Sequence, residues 1–251
     1  MRDCALSPIP TLSGARHFLH MAKTAREYRE LLLAGRWFQG VPAAFQARLL
    51  EAAVMREVPA EARLFSRGDA PDGLYAALSG SIRIAGLSAA GKEAVLAVVE
   101  PPQWFGEIAV FDRLPRTHDA IAGADTKVLH VPSAVLDLMF SENPAWWREL
   151  GLMVTSKLRL AFTVMEDMAL LPLLPRLARR LVLMAGGYGE WSDRSARVVK
   201  VSQETLAAMV SSSRQSTNQA LKELEARGLV KASYGEIEII DLEGLRAAAN
   251  G

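Results

Sequence analysis

Short apolar segments separated by turn residues fill the stretch from Ala62 to Val131. The segment LYAALSGSIRI holds two strand-like runs around Ser79-Gly80, and a glycine there favours a hairpin because it accepts positive φ. RGDAPDG has the composition of a loop, and Ser88 to Lys92 supplies the next turn. Runs this short, at this spacing, predict an antiparallel sandwich or barrel-like roll.

A different pattern begins at Asn143-Pro144. Asn is a good N-cap and Pro a good first helical residue, so the pair predicts the start of a long helix that lasts until Pro172. Apolar residues recur along it at intervals of three and four, close to a coiled-coil seam that Lys157 interrupts. These residues are Leu150, Val154, Ala161, Val164, Met168 and Leu171. The helix either packs on its own domain or pairs with a second copy, and its length between two compact regions favours a homodimer.

The C-terminal part holds two short helical patterns followed by two alternating strands. Ser202 is a candidate N-cap for the first helix. Ser213 is a candidate N-cap for the second helix, and Gly228 is its candidate end. The run LVKASYGEIEII then predicts a hairpin around Tyr234-Gly235. Two helices joined by a tight turn and followed by a small hairpin are typical of a winged helix-turn-helix.

Polar side chains crowd the start of the second of these helices, the end at which a recognition helix enters the major groove. Arg can pair there with guanine, and Gln or Asn can pair with adenine. The candidate base-reading residues are Arg214, Gln215, Thr217, Asn218 and Gln219. The helix N-terminus and the hydroxyls of Ser212, Ser213 and Ser216 suit phosphate groups. The pattern therefore predicts DNA binding.

The overall charge of the protein cannot provide the affinity for DNA, because the formal net charge of the 251-residue chain is only +1. Residues 172–251 carry 11 Lys+Arg against 9 Asp+Glu, so nucleic-acid contacts must come from placed side chains. The one cysteine, Cys4, excludes a disulfide within the chain. No apolar run approaches the roughly 20 residues that span a bilayer, and we therefore expect a cytoplasmic protein with no membrane partner.

The order of these elements resembles the Crp–Fnr family of bacterial transcription regulators, from roughly Tyr28 to Ala247. The segment SQETLAAMVSSSRQSTNQALKELEARGLV is similar to the helix-turn-helix of that family. This resemblance implies base contacts by Arg214, Gln215 and Gln219. The turn departs from the family pattern, because Ser211 stands where Gly is usual and Ser adopts left-handed geometry at some cost.

The stretch FGEIAVFDRLPRTHDA, residues 105–120, places Glu107 and Arg116 at a fixed spacing with Thr117 beside the second charge. The two charges either form an internal salt bridge across a turn or await a ligand with an anionic end and a hydroxyl. The string resembles the phosphate-binding cassette of cyclic-nucleotide-binding domains. That resemblance implies that Glu107 accepts the ribose 2′-hydroxyl and that Arg116 and Thr117 bind the cyclic phosphate. Gly106 would then let the backbone approach the ligand.

Two features depart from this cassette. His118 stands where a small residue is usual, so its ring either fills ligand space or adds a phosphate donor. Alignment of the long helix places the adenine-contacting Thr-Ser pair of the family on Ala161 and Phe162, with Thr163 one step further and facing elsewhere. These three residues are therefore the candidates for the base side of an effector.

Three functional hypotheses remain. The first is a regulator controlled by a small effector, such as cyclic AMP or another nucleotide-like anion. The second is an effector-independent regulator whose roll serves as a scaffold or a docking surface. The third is a haem- or metal-binding sensor, or a cupin-like enzyme, that uses the roll. No pair among the histidines, His17, His20, His118 and His130, shows metal-ligand spacing.

The sequence thus predicts an α+β protein in four parts. They are a flexible arm at 1–27, an antiparallel β-roll sensor domain at 28–142, a central dimerisation helix at 143–172 and a winged helix-turn-helix domain at 173–251. The chain has no nucleophile elbow, phosphate-binding Gly-rich loop or zinc-protease helix, so an enzyme is not expected. The expected partners are palindromic operator DNA, a second copy of the chain and RNA polymerase.

Overall fold

The structure is a computed structural model that describes Ala25 and residues 27–87, 93–189 and 198–250. Most of the predicted arm at 1–27, with Cys4, His17 and His20, lies outside the described residues, as does the predicted turn from Ser88 to Lys92. Within the described ranges, no helix combines the length and the apolar character needed to cross a membrane.

In the described part of the chain, a group of short helices leads into two facing antiparallel sheets. The helices are α1 (Arg29–Leu33), α2 (Arg36–Gly40) and α3 (Ala43–Ala52). The strands are β1 (Val54–Val58), β2 (Arg63–Phe65), β3 (Gly73–Ser79), β4 (Ile82–Leu87), β5 (Glu93–Val99), β6 (Trp104–Phe105), β7 (Asp119–Ala122) and β8 (Thr126–Pro132). One sheet has the order β1-β8-β3-β6 and the other β2-β7-β4-β5, with helix α4 (Glu107–Asp112) between β6 and β7. The predicted antiparallel roll is confirmed.

The glycine at Ser79-Gly80 does not make the predicted hairpin. Strand β3 pairs with β8 and β6, whereas β4 pairs with β5 and β7, so the chain changes sheets at this glycine. Gly80 has φ 71°, and a Cβ there would lie 2.5 Å from Thr126 Oγ1. The turn chemistry was recognised correctly, but the prediction of a hairpin was wrong because local residues do not specify which strands pair.

Strand β3 is apolar almost throughout because both of its faces are covered. Leu74, Ala76 and Leu78 join the core formed with the helices, whereas Tyr75 and Ala77 face the core between the sheets. A strand buried on both sides reads as a continuous apolar run rather than an alternating one. This strand therefore lies at the centre of the roll.

Two helices follow the roll, α5 (Ser133–Glu142) and the long α6 (Trp146–Leu170). The prediction that Asn143 caps the long helix is wrong, because Asn143 is the C-cap of α5 and its N–H bonds to the Met139 carbonyl. The connection is instead a tight turn in which the Trp146 N–H bonds to the Asn143 carbonyl at 3.1 Å.

One face of α6 packs on the roll. Trp146, Leu150 and Met153 are buried in the roll core at helical spacing, and Lys157 continues the same face. Leu150, predicted to lie in a dimer seam, is therefore covered by its own chain. The prediction that Lys157 interrupts such a seam is also wrong, because this side chain points into the roll.

A second apolar stripe of α6 faces outward. Leu158, Phe162 and Met165 are exposed at alternating intervals of four and three residues. This stripe lies about 100° around the helix from the predicted seam, the rotation of one residue step. The periodicity identified a helix with apolar faces, but it did not identify which face the roll would cover.

The C-terminal region forms a winged helix-turn-helix. It comprises α7 (Leu173–Ala185), β9 (Val198–Lys200), α8 (Gln203–Met209), α9 (Arg214–Ala226), β10 (Val230–Ser233), β11 (Glu236–Ile239) and α10 (Leu242–Ala248). The strands form an antiparallel sheet of order β10-β11-β9, and the hairpin predicted at Tyr234-Gly235 is confirmed. Helix α7 begins two residues before the predicted start, with Pro175 in its first turn, where a missing N–H costs nothing.

Helix α8 packs against strand β5 of the roll, and Val95 and Val98 of β5 join the C-terminal core. Arg180 of α7 is buried at this junction. Its guanidinium donates to the Leu96 carbonyl at 3.2 Å and to the Met209 carbonyl at 3.1 Å. Arg180 therefore connects the C-terminal region to the roll.

Candidate nucleic-acid interface and effector site

Two serines cap the helices of the helix-turn-helix, as predicted. Ser202 Oγ accepts from the Thr205 N–H, and Ser213 Oγ accepts from the Ser216 N–H, each at 3.0 Å. The hydroxyls of Ser213 and Ser216 also lie 2.8 Å apart. Both side chains therefore fix the start of α9, and their predicted role at a phosphate is an addition to this capping role.

The outward face of α9 presents Arg214, Gln215 and Gln219 to solvent. Within the part of the chain that the structure describes, their side chains make no hydrogen bond to another protein group, so their donors and acceptors are free for base edges. Lys222 is exposed three residues after Gln219 and continues the same stripe. The sequence analysis missed Lys222, although its helical spacing from Gln215 and Gln219 was the available signal.

Two of the predicted base-reading residues lie elsewhere on the helix. Thr217 is fully buried against the core of the region, and its Oγ1 has no hydrogen-bond partner. Asn218 is half-buried, and its enclosed Oδ1 is likewise unpartnered. The helix thus turns Thr217 away from the face that presents Arg214, Gln215 and Gln219, and it exposes Asn218 less fully than these residues, because only every third or fourth residue shares a face.

The turn between α8 and α9 has the geometry that a glycine would favour. Ser211 has φ 49°, in the left-handed region, where a Cβ costs an L-residue about 1–2 kcal/mol. Ser212 follows, half-buried, and its N–H donates to the Ala207 carbonyl at 3.1 Å. The strain anticipated for a serine at this position is therefore present in the fold.

The cassette begins at Gly106, the left-handed residue that joins β6 to α4 with φ 90°. A Cβ at this position would lie 2.8 Å from Arg116 Nη1, so only glycine lets the backbone approach the guanidinium. Glu107 is the first residue of α4 and is buried. The local geometry thus brings the backbone of Gly106 to the buried guanidinium end of Arg116.

Arg116 is almost fully buried and already holds three acceptors. Its Nη1 donates to the Gly106 carbonyl at 2.8 Å, and its Nη2 donates to the Gly73 carbonyl at 2.7 Å and to Asp72 Oδ1 at 2.5 Å. The guanidinium also lies over the Phe65 ring, 4.3 Å from its centroid. Its Nε is enclosed without a hydrogen-bond partner.

Glu107 does not pair with Arg116. Lys157 of α6 reaches it instead, with its Nζ 2.7 Å from Glu107 Oε2 and 2.8 Å from the Trp104 carbonyl. The internal salt bridge between the two cassette charges, one of the two sequence-based alternatives, is therefore absent from the described residues. Each charge has its own partner from another segment, Asp72 for the guanidinium and Lys157 for the carboxylate.

Thr117 and His118 lie at the solvent-exposed rim of the cassette. Thr117 is exposed, and its Oγ1 lies 3.0 Å from His118 Nδ1. The His118 ring packs beside Gly86 of β4, where an added Cβ would lie 3.6 Å from His118 Cδ2. Burial lowers the pKa of His118, and the charge of Arg67 lowers it further, so the ring is neutral at pH 7. In this arrangement the His118 ring either accepts from or donates to the Thr117 hydroxyl.

The helix residues predicted to face a base are not gathered at the cassette. Ala161 lies one turn beyond Lys157 on the same side of α6 and is exposed. Phe162 belongs to the outward stripe, and Thr163 Oγ1 donates to the Arg159 carbonyl at 3.2 Å. Among the described residues, Arg116 Nε thus remains an enclosed donor without an acceptor, whereas the consecutive residues Ala161, Phe162 and Thr163 do not share one face of α6.

Asp72 and Lys157 are the site residues that the sequence analysis missed. Asp72 is one carboxylate in a polar loop, and nothing in its neighbours indicated a contact with Arg116. Lys157 had a signal, because it continues the buried series of Trp146, Leu150 and Met153 at helical spacing. A lysine on the buried face of a helix indicates a buried acceptor opposite it.

Among the described residues, no group of three or more His, Cys, Asp or Glu side chains is arranged to hold a metal ion. His130 stacks on Tyr75 inside the roll, with their ring centroids 4.6 Å apart. His118 lies at the rim with Thr117. The histidines described by the structure are therefore engaged in packing and hydrogen bonding.

Comparison with known families divides the chain into the same two functional regions. Residues 55–143 match the cyclic nucleotide-binding domain, and residues 175–248 match the Crp-like helix-turn-helix domain. The first match contains the whole cassette, from Gly106 to Thr117, and the second contains α8 and α9.

Similar proteins combine both regions in one chain. The CRP-like cAMP-activated global transcriptional regulator of Mycobacterium tuberculosis is 27% identical over 221 residues, which cover 88% of this chain and 99% of that protein. A CRP/FNR family transcriptional regulator from Thermus thermophilus is 25% identical, with a TM-score of 0.61 over 78% of this chain and 98% of the other.

A more distant structure supports the fold alone. FixK2 from Bradyrhizobium japonicum is 18% identical, with a TM-score of 0.70 over 78% of this chain and 96% of that chain. The roll, the long helix and the winged helix-turn-helix therefore occur in the same order in these proteins. The chain belongs to the Crp–Fnr family of DNA-binding transcription regulators, with a cyclic nucleotide-binding domain followed by a Crp-like helix-turn-helix.

Proposed function

We propose that this regulator acts as a homodimer that binds a palindromic operator, with α9 of each copy in the major groove. The observation that carries this proposal is the outward face of α9, where the side chains of Arg214, Gln215 and Gln219 are exposed and make no hydrogen bond to any described residue. Two-fold symmetry would place the half-sites about 34 Å apart, one turn of DNA. The expected partners of such a regulator are promoter DNA and RNA polymerase.

The outward stripe of α6 supports the dimer. Leu158, Phe162 and Met165 are exposed at the spacing of a coiled-coil seam, and the roll does not cover them. A second copy that presents the same stripe across a two-fold axis would bury both stripes. The predicted dimerisation through 143–172 is thus retained, with these residues in place of the original seam.

The roll of the proposed regulator binds a nucleotide-like anion through Arg116, Glu107 and Thr117, with Gly106 at the ligand. The enclosed Nε of Arg116 supports this proposal, because it is a buried donor without an acceptor. The similar protein named as cAMP-activated supports a cyclic nucleotide as the first ligand to test.

A second candidate function is an operator-binding regulator that needs no effector. The observation that favours it is the pairing of both cassette charges within the chain, Glu107 with Lys157 and Arg116 with Asp72. In this alternative the Lys157 ion pair joins α6 to the roll permanently, so a ligand is not needed to couple them.

The test of operator binding compares two arginines on the same helix. Arg214→Ala should weaken binding to a selected operator by about 1–3 kcal/mol and relax specificity at one base position. Arg227→Ala is the matched control, since Arg227 lies at the other end of α9 and pairs with Glu223. Fluorescence anisotropy on operator and random duplexes measures both. An equal loss on the two duplexes would make Arg214 a phosphate contact.

The test of the effector is calorimetric titration of the purified protein with cyclic AMP and with cyclic GMP. Saturable binding that Arg116→Ala and Thr117→Val reduce would support the cassette as the site. No heat with either nucleotide, in protein that binds its operator fully, would instead support the effector-independent candidate.

A further inference from the structure

Asp72, in the loop before β3, is held against the cassette arginine by several groups. Its Oδ1 accepts from Arg116 at 2.5 Å, and its Oδ2 accepts from the Tyr75 hydroxyl. Arg56 Nη1 and His130 Nε2 each lie 3.7 Å from the same Oδ2. The Asp72 carboxylate is thus bound to the Arg116 guanidinium, the group that would bind a phosphate according to the family resemblance.

The two members of this pair differ in their freedom to move. The Arg116 side chain is 2% exposed, whereas that of Asp72 is 40% exposed. Arg116 is also fixed by two backbone carbonyls, those of Gly106 and Gly73, and by the Phe65 ring. The guanidinium therefore cannot leave, but the carboxylate can rotate towards solvent.

Asp72 is charged at neutral pH. Burial raises its pKa, but hydrogen bonds from Tyr75 and Arg116 outweigh burial and hold the pKa below its usual range. If the carboxylate left Arg116, Arg56 would remain as a cationic partner, since it is close to the other oxygen and half-exposed. After displacement from Arg116, the Asp72 carboxylate would therefore still have a cation beside it, the Arg56 guanidinium.

We propose that Asp72 is an internal competitor that gates the binding of an anionic, phosphate-bearing ligand at Arg116. The proposal rests on the proposed effector site. Binding then exchanges one anion for another on the same guanidinium, because both N–H groups of Nη2 and one of Nη1 already have acceptors, and the unpartnered Nε is enclosed. The affinity for a cyclic phosphate is reduced by the strength of the charge-assisted bond that it replaces.

The charge of Asp72 can be removed with little change of shape by Asp72→Asn. The amide oxygen can still accept from Arg116, but as a neutral group it forms a weaker bond than a carboxylate. Titration with cyclic AMP, and separately with cyclic GMP, should then give a Kd about tenfold lower than that of the unmodified protein. Asp137→Asn is the matched control, since Asp137 pairs with Arg113 on the surface, and its Kd should be unchanged.

Tyr75→Phe provides a second variant. It removes the hydroxyl that holds Asp72 but keeps the ring that stacks on Phe105 and His130. A smaller fall in Kd, about threefold, is expected because only one of the contacts that position the carboxylate is lost. If Asp72→Asn fails to fold, as judged by its urea midpoint, this variant carries the test.

The possible outcomes distinguish failure of the Asp72 gate from failure of the proposed effector site. An unchanged or higher Kd in folded Asp72→Asn, or in Tyr75→Phe when the first variant does not fold, overturns the gate. The effector site survives that result if the unmodified protein binds nucleotide through Arg116. Absence of binding by every variant, in protein that still binds operator DNA, overturns both proposals. Tighter binding by Asp72→Asn, with Asp137→Asn unchanged, supports both.

Discussion

The ion pair between Lys157 and Glu107 should contribute measurably to the stability of the roll and its long helix. Lys157→Met removes the ammonium and keeps most of the apolar stem, so it leaves the Glu107 carboxylate buried without its cation. Glu107→Gln removes the carboxylate charge, and the double variant removes the whole ion pair. The four proteins together form a double-mutant cycle, which isolates the energy of the pair from other effects of each substitution.

The magnitude follows from the burial of the two groups. Nζ and Oε2 are 2.7 Å apart, and the side chains of Lys157 and Glu107 are 35% and 5% exposed. Breaking a fully buried pair by removing one partner costs about 3–5 kcal/mol, whereas an exposed pair is worth about 0–1 kcal/mol. Because water reaches the ammonium, we expect Lys157→Met to lower the free energy of unfolding by about 2 kcal/mol. The double variant should be less destabilised than the sum of the singles by a similar amount.

Urea unfolding followed by tryptophan fluorescence is a suitable assay, because Trp37, Trp104, Trp146 and Trp147 all lie in or against the roll core. The control cycle uses the exposed pair of Arg113 and Asp137, for which the coupling should stay below about 1 kcal/mol. A coupling between Lys157 and Glu107 no larger than that of the control would refute the reasoning, since the ion pair would then not be formed in solution.

Three further predictions concern the turn, the dimer and the response to acid. Ser211→Gly should stabilise the helix-turn-helix by about 0.5 kcal/mol in thermal unfolding, because relief of the left-handed strain exceeds the entropy cost of glycine. Ser212 does not have left-handed geometry, so the control variant Ser212→Gly should destabilise the helix-turn-helix. Phe162→Glu, at a position that is 59% exposed, should yield monomers by analytical ultracentrifugation, whereas Ser156→Glu, off the outward stripe, should leave the dimer intact. Burial, together with the charge of Arg56, lowers the pKa of His130 in the folded protein, so the unfolded chain binds its proton first as the pH falls below about 6.5. The urea midpoint should therefore be steady above that pH and fall below it, and His130→Gln should reduce the fall; an equal fall in the variant would exclude His130 as the cause.

Features that depend on hydrogen bonds and periodicity within a few residues could be predicted from the amino-acid sequence. Ser202 and Ser213 were recognisable as N-caps because a cap bonds to a backbone N–H three residues away. The left-handed geometry of Ser211 was implied by the family resemblance, because Gly is usual at this position of the turn. The residue types of the cassette and of the recognition helix were also readable, since each lies in one continuous stretch.

The tertiary structure alone decided which segments meet. Asp72 lies 44 residues from Arg116, and Lys157 lies 50 residues from Glu107, so neither partner could be identified from local spacing. The change of sheet at Gly80 likewise depends on pairing between strands that are distant in the chain.

Tertiary packing also determines which face of α6 remains exposed. A helix with apolar residues on two sides can bury either one, and the roll covered Trp146, Leu150 and Met153. Phe162 and Met165 were left exposed as a result. The physical reason is that periodicity fixes which residues share a face, whereas the surface that packs against the helix fixes which face is buried.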